Sequence, residues 1–228
     1  MGVHDGHRER MRATFLEHGL DSMNDINALE LLLFYAVPRK DTNETAHLLL
    51  ERFGTLDKVF AASVEELREV EGVGEYAASL IALVPQIMKK SLLAKSREKK
   101  IIRSSREAGE YLLPYFLNEQ DEVIYLLCMD SRRAVICCTE MGRGSVNSVD
   151  TSIRRIVEKA LRVKACTAII AHNHPDGLPV PSREDDIFTR ALNNALETVG
   201  IQLEDHIIVA NDRYASVADA GLMFTYKF

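Results

Sequence analysis

Apolar positions recur at helical spacing through the first third of the chain. Met11, Phe15 and Leu16 form one stripe that stops near Gly19. Ile26, Leu29, Leu32, Leu33 and Tyr35 or Ala36 form a second, ended by Pro38. Thr42 is placed to cap a third helix that carries Ala46, Leu49, Leu50 and Phe53 up to Gly54. Ser63 caps a short helix through Val70, and Glu71-Gly72-Val73-Gly74-Glu75 makes a break. A helix with Ala77, Ala78, Ile81 and Leu83 follows, and Pro85 is expected to kink or interrupt it. The pattern predicts that residues 8 to about 90 are all helical.

Beyond residue 105 the period changes. Ala108, Tyr111, Leu112 and Phe116 space out a helix. Glu122 to Met129 and Arg133 to Glu140 read as two strands of a hairpin around Asp130-Ser131-Arg132, with a bend or bulge at Gly142 and Gly144. Ile153, Ile156, Val157, Ala160 and Leu161 give another helix, and residues 165 to 171 a short buried strand. Ile187, Leu192, Leu196 and Val199 share one face of a helix that opens at Ser182 and stops at Gly200. Asp205 to Ala210 and Arg213 to Ala218 are the last strands, joined by an Asn211-Asp212 turn. Interleaved strands and helices predict a mixed sheet with helices on its faces. The charge-rich run SLLAKSREKKIIRSS, Ser91 to Ser105, reads as a solvated connector. The expected organisation is therefore a helical domain over 1–92, a linker over 93–104 and an α/β domain over 105–228.

Composition narrows the options. A formal net charge of −6 over 228 residues argues against a surface coated with cations for nucleic acid, although a local contact stays open. No apolar run approaches the length of a membrane span, and the first residues lack the apolar core of a signal peptide. Cys128, Cys137, Cys138 and Cys166 form no Cys-x-x-Cys pair and lie in apolar runs. They are expected to be buried free thiols in a reducing cytoplasm, not disulfides or metal ligands.

The chemistry concentrates in AHNHPDGLPVPSRED, Ala171 to Asp185. Side chains two apart on an extended chain point the same way, so His172 and His174 can face one point. The Gly/Pro segment turns the chain, Ser182 opens the next helix, and Asp185 in its first turn can return a carboxylate to that point. Two imidazoles and one carboxylate leave the fourth tetrahedral position of a zinc ion free, the pattern of a catalytic site. The plainer reading of Ser182 and Asp185 is a helix cap with an acidic third residue, and the two readings are compatible.

His172-Asn173-His174-Pro175, then Ser182 and Asp185, resembles the JAMM (MPN+) metallopeptidase signature, and the Asn and flanking sequence resemble the RadC family in particular. The resemblance covers essentially the whole chain. It implies a cytidine-deaminase-like mixed sheet flanked by helices, with one Zn2+ per chain held by His172, His174 and Asp185. It implies hydrolysis of an amide bond in a protein or peptide substrate, with Ser182 steadying the oxyanion. It also implies a glutamate acid/base on an earlier strand, read here as Glu140, shortly before Gly144-Ser145. His206 is either a support for the ligands or an ordinary packed strand histidine. Two positions depart from the family: Ile153-Arg154-Arg155 stands where many members have Pro-Arg-Glu, and Asp176 stands where Ser is common.

The helix, Gly72-Val73-Gly74, helix pattern resembles a helix-hairpin-helix module, in which glycines bring backbone N–H groups close to a phosphate. Together with the historical naming of RadC as a DNA repair protein, it supports a second reading, a DNA-associated protein without enzymatic activity. Glu69, Glu71 and Glu75 crowd that turn, which weakens contact with phosphates. A nucleobase deaminase would need His-x-Glu and Pro-Cys-x-x-Cys, and the chain has neither.

Overall fold

The computed structural model describes residues 3–38, 40–95, 100–144, 149–175 and 177–221. Ser145 and Asp176, both singled out above, lie outside them. The chain divides into two units, Met1–Met88 and Lys89–Phe228.

The first unit is helical, as its stripes predict: α1 (Val3–His18), α2 (Asp25–Ala36), α3 (Asn43–Phe53), α4 (Leu56–Ala61), α5 (Val64–Arg68) and the start of α6 (Glu75–Lys95). Leu29 and Leu33 of α2 meet Ala46 and Leu49 of α3 and Ala78 and Ile81 of α6 in one buried cluster. α4 escaped the periodicity reading because six residues are too few to show a stripe. Ser63 caps α5 through a reciprocal bond with Glu66. Thr42 occupies the cap position of α3 without capping it, since its buried hydroxyl donates to the Glu30 carbonyl. Gly72 is held at φ +87°, and a Cβ there would fall 2.3 Å from Thr45 Oγ1, so no other residue fits the hairpin unchanged.

Helix α6 runs through Pro85 without interruption. The window Glu75–Ala94 is long and apolar enough to cross a membrane by length and composition, which corrects the expectation that no run approaches that length. Its Ala77, Ala78 and Ile81 are core residues of the first unit, whereas Tyr76, Leu83, Ile87 and Met88 are exposed.

The second unit carries the sheet. Its elements are α7 (Ser105–Leu112), β1 (Val123–Met129), β2 (Val135–Arg143), α8 (Val149–Arg162), β3 (Thr167–Asn173), α9 (Arg183–Thr198), β4 (Gln202–Ala210) and β5 (Arg213–Ser216). The strand order is β2-β1-β3-β4-β5, with β3 and β4 parallel and the other neighbours antiparallel. Tyr125, Leu127, Met129, Ile169 and Ala171 face one way, against Tyr111 and Leu112 of α7. Leu126, Cys128, Ala168 and Ile170 face the other, against Ile156 of α8 and Leu192 and Leu196 of α9. Of the stretch read as a connector, Lys95 still belongs to α6, whereas Ile102 is buried and its N–H bonds the Arg133 carbonyl. Hydrophobicity at Ile102 outweighs the charges around it, while Ile101 stays exposed.

Candidate metal centre

The crossover β3–α9–β4 builds the site. Parallel β3 and β4 require α9 to cross one face of the sheet, and this puts the start of α9 beside the end of β3. His172, opposite Ile124 of β1, lies on the α9 side of the sheet. His174 follows the end of the strand and is tied to β4 by its N–H, which donates to the Val209 carbonyl at 2.7 Å. Ser182 caps α9 and Asp185 is its third residue. The Ser182 hydroxyl accepts from the Asp185 N–H, and the Ser182 N–H and hydroxyl both donate to Asp185 Oδ2, at 2.8 and 2.6 Å. The cap thus fixes the carboxylate that faces the histidines.

The three expected ligands converge. His172 Nε2 is 2.9 Å from His174 Nε2 and 3.1 Å from Asp185 Oδ1, and His174 Nε2 is 3.4 Å from Asp185 Oδ2. Atoms sharing one tetrahedral ion at about 2.0–2.1 Å each stand about 3.3–3.4 Å apart, so the three spacings lie at or slightly inside those such an ion requires. The His174 Nδ1 lies 3.1 Å from the Leu178 carbonyl, which can only accept. That nitrogen therefore bears the proton and Nε2 presents a lone pair to the site. The Asp185 carboxyl is pushed up by burial, but hydrogen bonds and charge from His172, with bonds from Ser182, hold it well below the usual carboxylate range. Neither Asp185 nor Glu122 is ion-paired to a lysine or arginine among the described residues.

A second carboxylate stands at the rim. Glu122, just before β1, has Oε1 4.0 Å from His172 Nε2, and its carboxylate and the two histidines lie within 4.8 Å of one another. Its backbone is clamped on both sides by the buried Asn173. The amide oxygen of Asn173 accepts from the Val123 N–H at 2.7 Å, and its amide nitrogen donates to the Asp121 carbonyl at 3.0 Å. The side chain between the two histidines thus anchors the residues flanking Glu122.

Glu140 is not brought to this point. It pairs with Tyr125, next to Ala171, and so lies on the α7 side of the sheet, opposite to His172. A bulge at Met141 sets this parity: Met141 packs on the α9 side and Glu140 turns away. The Glu140 carboxylate is taken by Arg143 Nη2 at 3.0 Å and Nε at 3.2 Å. Ser182 borders the site, with its hydroxyl proton directed to Asp185.

His206 of β4 backs His172. Its Nε2 is 2.8 Å from His172 Nδ1, and its Nδ1 is 2.5 Å from the Thr189 hydroxyl of α9. Burial, then repulsion from His172, pushes its pKa down to about 3. Sequence reasoning missed Glu122 and Thr189. Glu122 shares the parity of Ile124 and Leu126, the signal that could have found it once β1 was known to adjoin β3. Thr189 falls four residues after Asp185, one helical turn on, and only the fold shows what it meets.

Residues 102–222 match the RadC-like JAB domain, and residues 42–83 match the helix-hairpin-helix motif. The chain is 32% identical to a UPF0758 protein of Ruegeria pomeroyi over 95% of its length and 97% of that protein's. It is 34% identical to a UPF0758 protein of Fusobacterium nucleatum, over 96% and 97% respectively. A UPF0758 protein of Rhodobacter capsulatus is 32% identical over 93% of this chain and 100% of its own. With more than half the chain matched by one domain family and whole-length relatives above 30% identity, the protein belongs to the RadC family.

Proposed function

We propose that this protein is a zinc-dependent hydrolase of the JAMM type that cleaves an amide bond in a protein or peptide. The observation that carries the reading is the convergence of His172, His174 and Asp185 within 3.4 Å of one another. When bound there, zinc supplies a Lewis acid that polarises a carbonyl and acidifies a water. Glu122 is the acid/base in this reading, in place of Glu140. Its half-exposed carboxylate reaches the mouth of the site, where it can take a proton from the attacking water and return it to the leaving nitrogen. Ser182 holds Asp185 at its angle, and its hydroxyl serves the oxyanion only by releasing that bond. The free thiols fit a reducing cytoplasm, though Cys128 alone of the four is buried and Cys166 is exposed, which corrects the expectation that all are buried.

Elemental analysis of protein made in zinc-sufficient cells tests the reading. About one zinc per chain is expected, removable by chelator and absent from His174→Ala. A zinc-replete preparation that carries none overturns it.

DNA association through the first unit is the second reading, supported by the helix-hairpin-helix match and the Gly72 geometry. Charge weighs against it, since the Arg52 guanidinium near the hairpin is already paired with Glu69. It expects salt-sensitive DNA binding that survives His174→Ala, and no binding at low salt removes it.

A further inference from the structure

We infer that Thr189 and His206 form a one-way hydrogen-bond relay that begins on the backbone carbonyl of Asp185 and fixes which nitrogen of His172 faces the site. The inference rests on the metal-binding reading above and adds a positioning role for two residues that never touch the ion.

The direction of every bond follows from one oxygen. Thr189 Oγ1 lies 2.6 Å from the Asp185 carbonyl, and a carbonyl oxygen can only accept. The single hydroxyl proton of Thr189 is therefore spent there. At its other contact, 2.5 Å from His206 Nδ1, Thr189 can only accept, so His206 Nδ1 carries a proton. His206 is 1% exposed and neither of its side-chain partners is an anion, so nothing compensates a second proton on its ring. Its Nε2 is then a lone pair and accepts from His172 Nδ1 at 2.8 Å. His172 Nδ1 holds its proton, and Nε2 faces the site, where any further proton of the metal-free centre is one shared with His174 and Asp185. The Leu178 carbonyl imposes the same form on His174. Two imidazole lone pairs are thereby aimed at each other across 2.9 Å, an arrangement that repels unless a cation or one shared proton lies between them.

The circuit closes on itself. Asp185 contributes its side chain to the ligand set, and its backbone carbonyl sets the tautomer of a second ligand. Partners that fix a ligating histidine's other nitrogen are usually a carboxylate, a carbonyl or water. Here a neutral, buried histidine takes that place, and a threonine one helical turn after Asp185 gives it its polarity.

Two-bond 1H–15N correlation spectra of metal-free, 15N-labelled protein read the tautomers directly, with a chelating dye in competition to read zinc affinity. Wild type is expected to show His206 and His172 protonated at Nδ1 and His206 bare at Nε2. Added zinc should move the Nε2 signals of His172 and His174 and leave those Nδ1 protons in place. Thr189→Val should scramble the His206 tautomer and weaken zinc about 10–100-fold, the usual cost of losing such a partner, and Thr189→Ser should restore both. The relay is overturned if wild-type His206 is protonated at Nε2, or if Thr189→Val changes neither tautomer nor affinity. The wild-type spectrum needs no variant to fold, so it decides the relay even if Thr189→Val does not. Failure of wild type to bind zinc removes the hydrolase reading instead, and the metal-free spectrum still judges the relay.

Discussion

The two faces of the sheet both end in clusters of ionisable side chains, and the clusters are balanced in opposite ways. On the α7 side, Glu140 and Glu119 are met by Arg143, and Glu119 also by Lys89 at 2.6 Å. On the α9 side, the ionisable partners of Asp185 and Glu122 among the described residues are imidazoles alone. The first cluster has supplied its own cations and has no need of a ligand. The second has gathered acceptors without a fixed positive charge around the buried His172, which is costly there unless a cation joins it. Carboxylate count does not separate the two regions. Charge compensation does, and strand parity decides which carboxylate belongs to which.

Exchanging each glutamate for its amide tests that contrast most severely. Glu122→Gln should lower amide hydrolysis by about 10²–10⁴-fold while zinc stays bound, whereas Glu140→Gln should change neither turnover nor zinc content. Turnover and bound metal measured on the same preparations check both, and a Glu140→Gln enzyme as damaged as Glu122→Gln would erase the distinction.

A smaller effect is expected at the cap. Ser182→Ala removes the two hydroxyl bonds to Asp185 and leaves the one from the residue-182 backbone N–H, and the loss of the cap should cost about 0.5–2 kcal/mol in denaturant unfolding of the metal-free chain. Zinc affinity should also fall, by less than in His174→Ala.

The smallest effect lies on the compensated side and depends on pH. Burial would raise the Glu119 carboxyl, but bonds from Arg143 and Lys89 hold it below its ordinary value. A group whose folded value is depressed adds stability above its unfolded value, and that stability is lost as pH falls through the folded one. Wild type should therefore lose stability below about pH 4.3, the ordinary glutamate value, more steeply than Glu119→Gln. Chemical unfolding followed across that range reads the difference in slope.

The convergence of His172, His174 and Asp185 was legible in the sequence because it is local. His172 and His174 share a face through the strand period, and Ser182 and Asp185 share a turn through the cap. The place of Glu122 beside the histidines was not legible, since it depends on β1 lying against β3, and no local pattern carries that order. Glu140 was misplaced for a related reason: the run Val135 to Met141 carries apolar side chains on both faces, so alternation could not tell which way residue 140 points, and the bulge at Met141 settled it. The helical half was read from its stripes except where elements were short, as in α4, or where packing overrode a local signal, as at Pro85 and Thr42.

All three proposed ligands come from a single strand-to-helix junction, with the exposed side chains of Leu178 and Val180 on the turn between them. An ion seated there would clasp both ends of that turn and shrink its freedom when released from the rest of the fold. Occupancy would then govern how stiffly the two apolar side chains are presented to whatever approaches, coupling the state of the centre to the rim around it.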